Sequence, residues 1–146
     1  MKKVMSVIFA SMYFMMAAAM VDNDKIIQFV QLPAQAKVFI SSHFKELKVA
    51  TTKMDTEFMD KKYDVIFTTG EKVEFNKNGV WTEVKCVNTP VPEKIIPVEI
   101  KSYMRQNYPG VFVKGIEHDK KGYDVELSNG LDIEFNNNFQ VVDIDD

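Results

Sequence analysis

Pairs of carboxylates are the side chains of this sequence whose spacing comes closest to acid–base chemistry. Asp64 and Glu74 lie near each other if their segments pair as strands, and Asp124 and Glu134 repeat the arrangement. Two facing carboxylates can act as a general acid and a general base. Strand alternation alone produces the same spacing, so we interpret both pairs as parts of a solvated sheet face.

The histidines and the single cysteine do not complete a catalytic or metal-binding set. His43 falls at the edge of a predicted helix and His118 near the end of a predicted strand, which is not zinc-ligand spacing. Cys86 could pair with a histidine as a nucleophile or with another molecule, but a buried free thiol is favoured. Residues 143–146 are interpreted as a frayed acidic tail, not a calcium site. No hydrolase, zinc-protease, P-loop or dinucleotide motif is present, so we predict no enzyme, no metal and no cofactor.

Residues 1–20 are typical of a secretory signal peptide. Two lysines precede an uncharged stretch that ends in three alanines, and cleavage is predicted near Ala19 or Met20. A transmembrane anchor is the alternative, although the uncharged stretch is short for a span. We therefore expect residues 21–146 to form one domain in the periplasm or the extracellular medium, with no permanent membrane anchor.

The charge of the predicted mature chain excludes one class of partner. It keeps 16 basic residues against 21 acidic ones, without the two lysines of the signal. No block of Lys or Arg stands out, so nucleic acid binding is not expected. An acidic surface instead favours, weakly, a basic partner.

Internal similarity divides the domain into two units, residues 26–86 and 92–146. One block repeats at an offset of 64 and two blocks repeat at an offset of 60, in the same order. The matching segments are Leu32–Ile40 with Ile96–Met104, Tyr63–Gly70 with Tyr123–Gly130, and Val73–Asn76 with Ile133–Asn136.

Each unit is predicted to fold as a helix followed by about four antiparallel strands. Pro33 and Pro97 suit the first helical position, and apolar residues then recur at helical spacing. The period afterwards changes to two, which is typical of half-buried antiparallel strands. Two tandem units joined side by side predict an α+β fold: one curved sheet of about eight strands, with both helices on one face.

The hairpin turns can be assigned from the faces of the strands. Three-residue loops ending at Gly70 and Gly130 keep Val65 opposite Val73 and apolar residues on one face, and they require positive φ at each glycine. A four-residue loop over residues 76–79 would place Val84 inward and Trp81 outward.

The face away from the helices is the predicted binding surface. Trp81 would be its anchor, because a large rigid aromatic is typical of binding hot spots. The alternatives are that Trp81 points inward or packs on a lysine stem, and that the acidic rows are solvated surface. The residues predicted around Trp81 are Ile66, Lys72, Glu74 and Val141. The others predicted on this face are Asp64, Glu83, Asp124, Glu126, Asp132, Glu134 and Asp143.

The linked motifs resemble a known family. The LPAQAKVFISSHF and IPVEIKSYMRQNYPG segments, the two YDV hairpins and EFNKNGVW are similar to the PepSY-like periplasmic proteins of Bacteroidetes, described as similar in fold to the β-lactamase-inhibitor protein. The resemblance implies two helix-plus-four-strand units that form a concave sheet with helices behind it. It departs at Phe139, where the family usually has the glycine found at Gly79, so the resemblance leaves the form of that turn open.

Together, the residues and the resemblance favour a non-enzymatic binding protein. We predict that it docks an unknown protein or peptide of the cell envelope through the concave sheet face, as an inhibitor or regulator, for example of a peptidase. Binding of a small ligand in the sheet concavity is the alternative. The inhibitor analogy rests on fold alone.

Overall fold

The computed structural model describes residues 24–57 and 59–146, so the predicted signal peptide lies outside the described residues. A short 3-10 turn, Phe29–Gln31, precedes the first helix. The helices are α1 (Ala34–His43) and α2 (Val98–Asn107). The strands are β1 (Lys25–Ile27), β2 (Val49–Glu57), β3 (Asp60–Phe67), β4 (Lys72–Asn76), β5 (Trp81–Lys85), β6 (Val113–Asp119), β7 (Gly122–Leu127), β8 (Asp132–Asn136) and β9 (Val141–Asp145).

The nine strands form one open antiparallel sheet in which the spatial order follows the chain order from β1 to β9. The sequence predicted about eight strands, and the additional one is β1, which pairs Lys25–Ile27 with residues 52–54 of β2. Three residues are too few to show an alternating pattern, which explains why this strand was missed.

Both helices pack on the same face of the sheet. Phe39 of α1 contacts Phe75 edge-on at a ring-centroid distance of 5.5 Å, and Tyr103 of α2 contacts Phe135 at 5.3 Å. Phe75 and Phe135 belong to one buried apolar cluster that also holds the inner side chains of β3 to β8. The α+β class and the placement of both helices on one face are therefore confirmed.

Each helix begins one residue later than the sequence predicted. Pro33 and Pro97 are N-cap residues with extended backbone, and not the first helical residues. Their carbonyl oxygens still accept the first helical bonds, from the amides of Lys37 and Lys101. A proline is suited to this position because it has no N–H that would need a partner.

The hairpins after β3 and β7 have the predicted register. Val65 lies opposite Val73, and Val125 lies opposite Ile133. The loops end at Gly70 with φ of 100° and at Gly130 with φ of 91°. A side chain is disfavoured in this left-handed region, so glycine allows the short turn without strain.

The hairpin between β4 and β5 differs from the prediction by one residue. The Asn76 amide donates to the Val80 carbonyl, which leaves a three-residue loop, and Phe75 lies opposite Trp81. A β-bulge follows, and Thr82 Oγ1 donates to the Glu74 carbonyl at 3.3 Å. The bulge absorbs the extra residue and brings Glu83 opposite Glu74.

The corresponding hairpin of the second half has the same form although its glycine is replaced. The Asn136 amide donates to the Gln140 carbonyl, and Phe135 lies opposite Val141 before an equivalent bulge. Phe139 has φ of 60°, close to the 83° of Gly79. The departure from the glycine pattern therefore changes the residue and not the turn.

Candidate functional site

The face opposite the helices carries an unbroken line of acidic side chains. Seven carboxylates from seven consecutive strands lie directly opposite one another in the strand register, and we call them the carboxylate row. At the usual strand spacing of about 4.8 Å, seven strands extend the row over about 29 Å. Its members are Asp64, Glu74, Glu83, Glu117, Asp124, Glu134 and Asp143.

Strand alternation places the row on this face. Most members lie between inward-facing residues, as Glu74 lies between Val73 and Phe75, both fully buried. Like charges directly opposite each other destabilise a sheet, and the row contains six such neighbouring pairs. The arrangement is therefore unfavourable for the isolated molecule at neutral pH.

Partial burial makes the row harder to ionise. Desolvation is the main cause that raises the pKa of Glu117 to about 7, and neighbouring Glu83 and Asp124 add to it. Desolvation likewise raises the pKa of Asp64 and of Asp124 to about 6. Glu83 is only 3% exposed, and burial raises its pKa as well. Asp64, Glu117 and Asp124 thus titrate closer to neutral pH than ordinary carboxylates do.

A second line on the same face mixes signs. Ile66 lies opposite Lys72, and Lys72 lies opposite Lys85. The ammonium of Lys72 lies 3.9 Å from both Asp64 and Glu83. These contacts lower the pKa of both carboxyls, but the desolvation of each is the larger effect and the net direction is upward.

The second half of this line is acidic. Glu126 lies opposite Asp132, and burial together with Glu126 raises the pKa of Asp132 to about 6. Lys114 lies 3.7 Å from Glu126. Cations therefore border the carboxylate row beside its centre, at Lys72, and at its end, where Lys53 lies opposite Asp64.

Several carboxylate oxygens on this face are shielded from solvent without a hydrogen-bond partner among the described residues. They belong to Asp64, Glu117, Glu126 and Asp132. A buried acceptor without a donor is costly, and the cost is larger when the group is charged. This cost adds to the electrostatic repulsion on this face.

The structure places three of the five predicted contact residues on this face and two elsewhere. Ile66, Lys72 and Glu74 lie there, as predicted. Trp81 and Val141 do not, because each lies opposite a core phenylalanine on the helix-covered face. The three-residue loops cause this reversal, so the assignment of Trp81 as an outward anchor is wrong.

The indole of Trp81 is half-buried between two rings. It stacks on Phe39 of α1 at 6.3 Å and contacts His118 at 6.0 Å. His118 in turn stacks on Tyr123 at 4.1 Å. These contacts give Trp81 and His118 a packing role on the helix side.

Glu117 is the central residue that the sequence analysis missed. It joins the row because β5 pairs with β6, with Glu83 opposite Glu117. The two units share no hairpin, so no turn residue fixed the register between them. The apolar Ile116 directly before Glu117, within a predicted strand, was the available signal.

Cys86 and the histidines stand apart from the row. Cys86 is a buried free thiol, as predicted, and burial raises its pKa to about 11, so it is protonated at neutral pH. Burial lowers the pKa of His43, which contacts Phe39 at 4.6 Å. Within residues 24–57 and 59–146, no group of three or more His, Cys, Asp or Glu side chains is arranged to hold a metal ion.

The comparisons with known proteins agree with this architecture. A family model described as "Putative beta-lactamase-inhibitor-like, PepSY-like" matches residues 61–143. A comparison with curated proteins finds no match. Of the two helices described, neither has the length and apolar character needed to cross a membrane.

Three solved structures from Bacteroides are similar over most of the chain. A "putative periplasmic protein" of the DUF2874 family from Bacteroides vulgatus is 51% identical, with a TM-score of 0.84, over 86% of this chain and 99% of its own. A "putative calcium-regulated periplasmic protein" from Bacteroides thetaiotaomicron is 50% identical, with a TM-score of 0.82, over 84% and 97%. A second Bacteroides vulgatus "putative periplasmic protein of unknown function" is 37% identical, with a TM-score of 0.80, over 84% and 99%.

Proposed function

This chain belongs to the PepSY-like family, and on that premise we propose that it is a non-enzymatic periplasmic protein that binds a basic segment of another protein across the carboxylate row. The observation that carries the proposal is the row itself, with seven carboxylates directly opposite one another on a face that neither described helix covers.

Binding would remove the electrostatic cost of the row. Lys or Arg side chains of a partner would place positive charge among half-buried carboxylates, where Coulomb attraction is stronger than at a fully hydrated surface. Guanidinium groups would also donate to the solvent-accessible carboxylate oxygens of the row. The acidic face would in addition raise the association rate of a basic partner.

Occlusion is the mechanism that this geometry supports. A segment laid across seven strands would be held over about 29 Å, using the spacing of about 4.8 Å per strand. A partner held in this way could not present the bound segment to anything else, which matches the inhibitor-like description of the family. Export by a signal peptide in residues 1–20 is part of the same proposal.

The two halves are proposed to derive from one duplicated unit. Each has a helix followed by four strands, and the bulges after Glu74 and Glu134 are equivalent. Other family members should show internal similarity at the same two offsets. A family member whose halves fail to align in this way would count against duplication.

Titration with synthetic peptides tests the binding proposal. A peptide rich in arginine and lysine is titrated calorimetrically into the protein at low and at high salt. We expect about tenfold weaker binding to the double variant Glu117→Gln/Asp124→Asn, and weaker binding at high salt. The matched control is Glu46→Gln/Glu99→Gln, which removes two exposed carboxylates away from the face. Equal affinity of both double variants would contradict the proposal.

The similarity to the "putative calcium-regulated periplasmic protein" motivates a second arm of the experiment. Calcium prefers carboxylate oxygens, so Ca²⁺ could compete with the basic peptide on the row. We expect millimolar Ca²⁺ to weaken peptide binding more than the same ionic strength of NaCl. An equal effect of both salts would mean that calcium acts on this face only by screening.

A further inference from the structure

On the helix side, a cavity of about 400 Å³ lies beside α2, distinct from the carboxylate row. Its inner wall is apolar and deeply buried, whereas its rim is exposed. The buried wall is formed by Val91, Ile96, Met104 and Val113. Its volume falls within the range of small-molecule sites, about 300–1,000 Å³.

One face of α2 supplies both the apolar and the charged part of the cavity. Lys101, Met104, Arg105 and Tyr108 all line it, at the spacing of i, i+3, i+4 and i+7. This spacing places them on one side of a helix. Two cations one turn apart therefore lie beside an apolar floor.

The two cations are not neutralised by the protein. Among the described residues, no carboxylate lies within ion-pair distance of either Lys101 or Arg105, although exposed Glu93 also lines the cavity. Arg105 donates to Ser102 Oγ at 3.3 Å, which uses one of its five N–H groups. In an acidic protein, such a pair next to an apolar cavity is complementary to an anion.

The equivalent positions in the first half make different contacts. At the offset of 64, Lys37 corresponds to Lys101 and Ser41 corresponds to Arg105. Lys37 Nζ donates to the Val30 carbonyl at 3.2 Å, and Ser41 Oγ donates to the Lys37 carbonyl at 2.9 Å. The second half has a guanidinium where the first has a small hydroxyl, and its lysine lines a cavity.

We propose that this cavity binds a small amphipathic anion, with its apolar body against Val91, Met104 and Val113 and its carboxylate on Lys101 and Arg105. Exposed Phe112 at the rim would cover part of the apolar body. Arg105 can hold a carboxylate through two parallel hydrogen bonds, which fixes its orientation. This site is independent of the proposed binding of a basic partner, which uses the other face.

Three probes separate the contributions of charge and of apolar surface. Decanoate has both, 1-decanol has only the apolar chain, and acetate has only the carboxylate. We expect decanoate to bind in calorimetry and to shift the amide NMR signals of residues 91–113. The alcohol and acetate are expected to bind at least about tenfold more weakly, because each lacks one of the two interactions.

A charge-removing variant tests the assignment to α2. Lys101→Gln/Arg105→Gln should weaken decanoate binding by about tenfold and leave basic-peptide binding unchanged. Lys45→Gln/Lys48→Gln is the matched control, because both side chains are exposed and distant from the cavity lining. Thermal melts establish that both variants fold.

Two results would overturn the proposal. One is the absence of NMR shifts around the cavity at saturating decanoate. The other is equal binding of decanoate and decanol, with no effect of the α2 variant, since this would show that the cations take no part.

Discussion

Replacing Glu117 by glutamine should stabilise the protein at pH 8 and much less at pH 5. Glu117 lies between Glu83 and Asp124 in the register of the carboxylate row. Glutamine keeps the shape of the side chain, removes its charge, and gives it an amide that can donate to either neighbour. The substitution therefore mimics the protonated form of Glu117 at every pH.

The magnitude follows from the pKa of Glu117. Its rise from 4.5 to about 7 means that ionisation in the folded state costs about 3 kcal/mol more than in the unfolded chain, at about 1.4 kcal/mol per pKa unit. Glu117 is only half-buried, so solvent screening reduces this value. We expect a gain of about 1–2 kcal/mol in the free energy of unfolding at pH 8.

The contribution of Glu117 to stability changes with pH in the direction opposite to that of a salt-bridged carboxylate. Because the folded-state pKa of Glu117 is raised, its favourable contribution is complete below the unfolded pKa of 4.5 and is lost as pH rises through about 7. At pH 5 the wild-type side chain is already protonated in the folded state. The advantage of the Glu117→Gln substitution should therefore be much smaller at pH 5, and it should vanish only below the unfolded pKa of 4.5.

Urea unfolding at pH 5 and pH 8 measures this difference. Trp81 is the only tryptophan and is half-buried, so its fluorescence reports the transition. Glu46→Gln, at an exposed loop position, is the control and should change stability little at either pH. A gain of equal size at both pH values, or a loss at pH 8, would refute the account of a desolvated and repulsive row.

Three further predictions address other parts of the fold. In urea unfolding, Gly79→Ala should lower the free energy of unfolding by about 2 kcal/mol or more, and Gly130→Ala by about 1 kcal/mol. Both glycines have positive φ, but only at Gly79 would a Cβ meet the first turn of α1, at 2.9–3.0 Å. Equal losses for the two variants would contradict this explanation. Trp81→Ala should lower the free energy of unfolding by about 2–3 kcal/mol, measured by circular dichroism in thermal or urea unfolding, and leave the affinity for the basic peptide unchanged, because the ring packs on the helix side. Weakened peptide binding would instead support the role of Trp81 as an anchor. Cys86 should resist a thiol reagent at pH 8 until urea unfolds the protein, and rapid native labelling would show that the thiol is accessible.

The sequence determined the central hairpins because their faces and turns agree. Val65 and Val73 must both be inward, and a glycine with positive φ follows at the required distance, so only one register satisfies both conditions. The same reasoning fixed Val125 opposite Ile133. Here a local turn signal and burial gave the same answer.

The loop lengths and registers of the hairpins at Asn76 and Asn136 could not be predicted, because the shorter loop and the bulge compensate for each other. The shorter loop moves Trp81 inward, and the bulge after it returns Glu83 to the open face. A longer loop without a bulge would also leave Val84 inward and Glu83 outward, so the alternation of β5 alone is compatible with both arrangements. Only the position of Trp81 distinguishes the two, and a tryptophan is suited to either face.

Phe139 shows that the same backbone can be kept for different reasons. In the first half, Gly79 is required twice, by its positive φ and by the close approach of α1. In the second half, Phe139 adopts φ of 60°, and its ring stacks on Tyr123 at a centroid distance of 5.5 Å. The amide hydrogen bonds to Asn136 Oδ1 hold the turn, so glycine favours the conformation without being necessary for it.

The carboxylate row exists only because the two halves share one sheet. Asp64, Glu74 and Glu83 come from the first half and the other four carboxylates from the second, and they meet where Glu83 lies opposite Glu117. That junction is held by the fully buried pair Val84 and Ile116 directly beside the repulsive pair. Apolar burial therefore opposes electrostatic repulsion one residue away, and a cationic partner, or protonation, would strengthen the join between the halves. A domain built in this way becomes more stable when its acidic face is neutralised, so occupancy of that face should appear as a higher melting temperature.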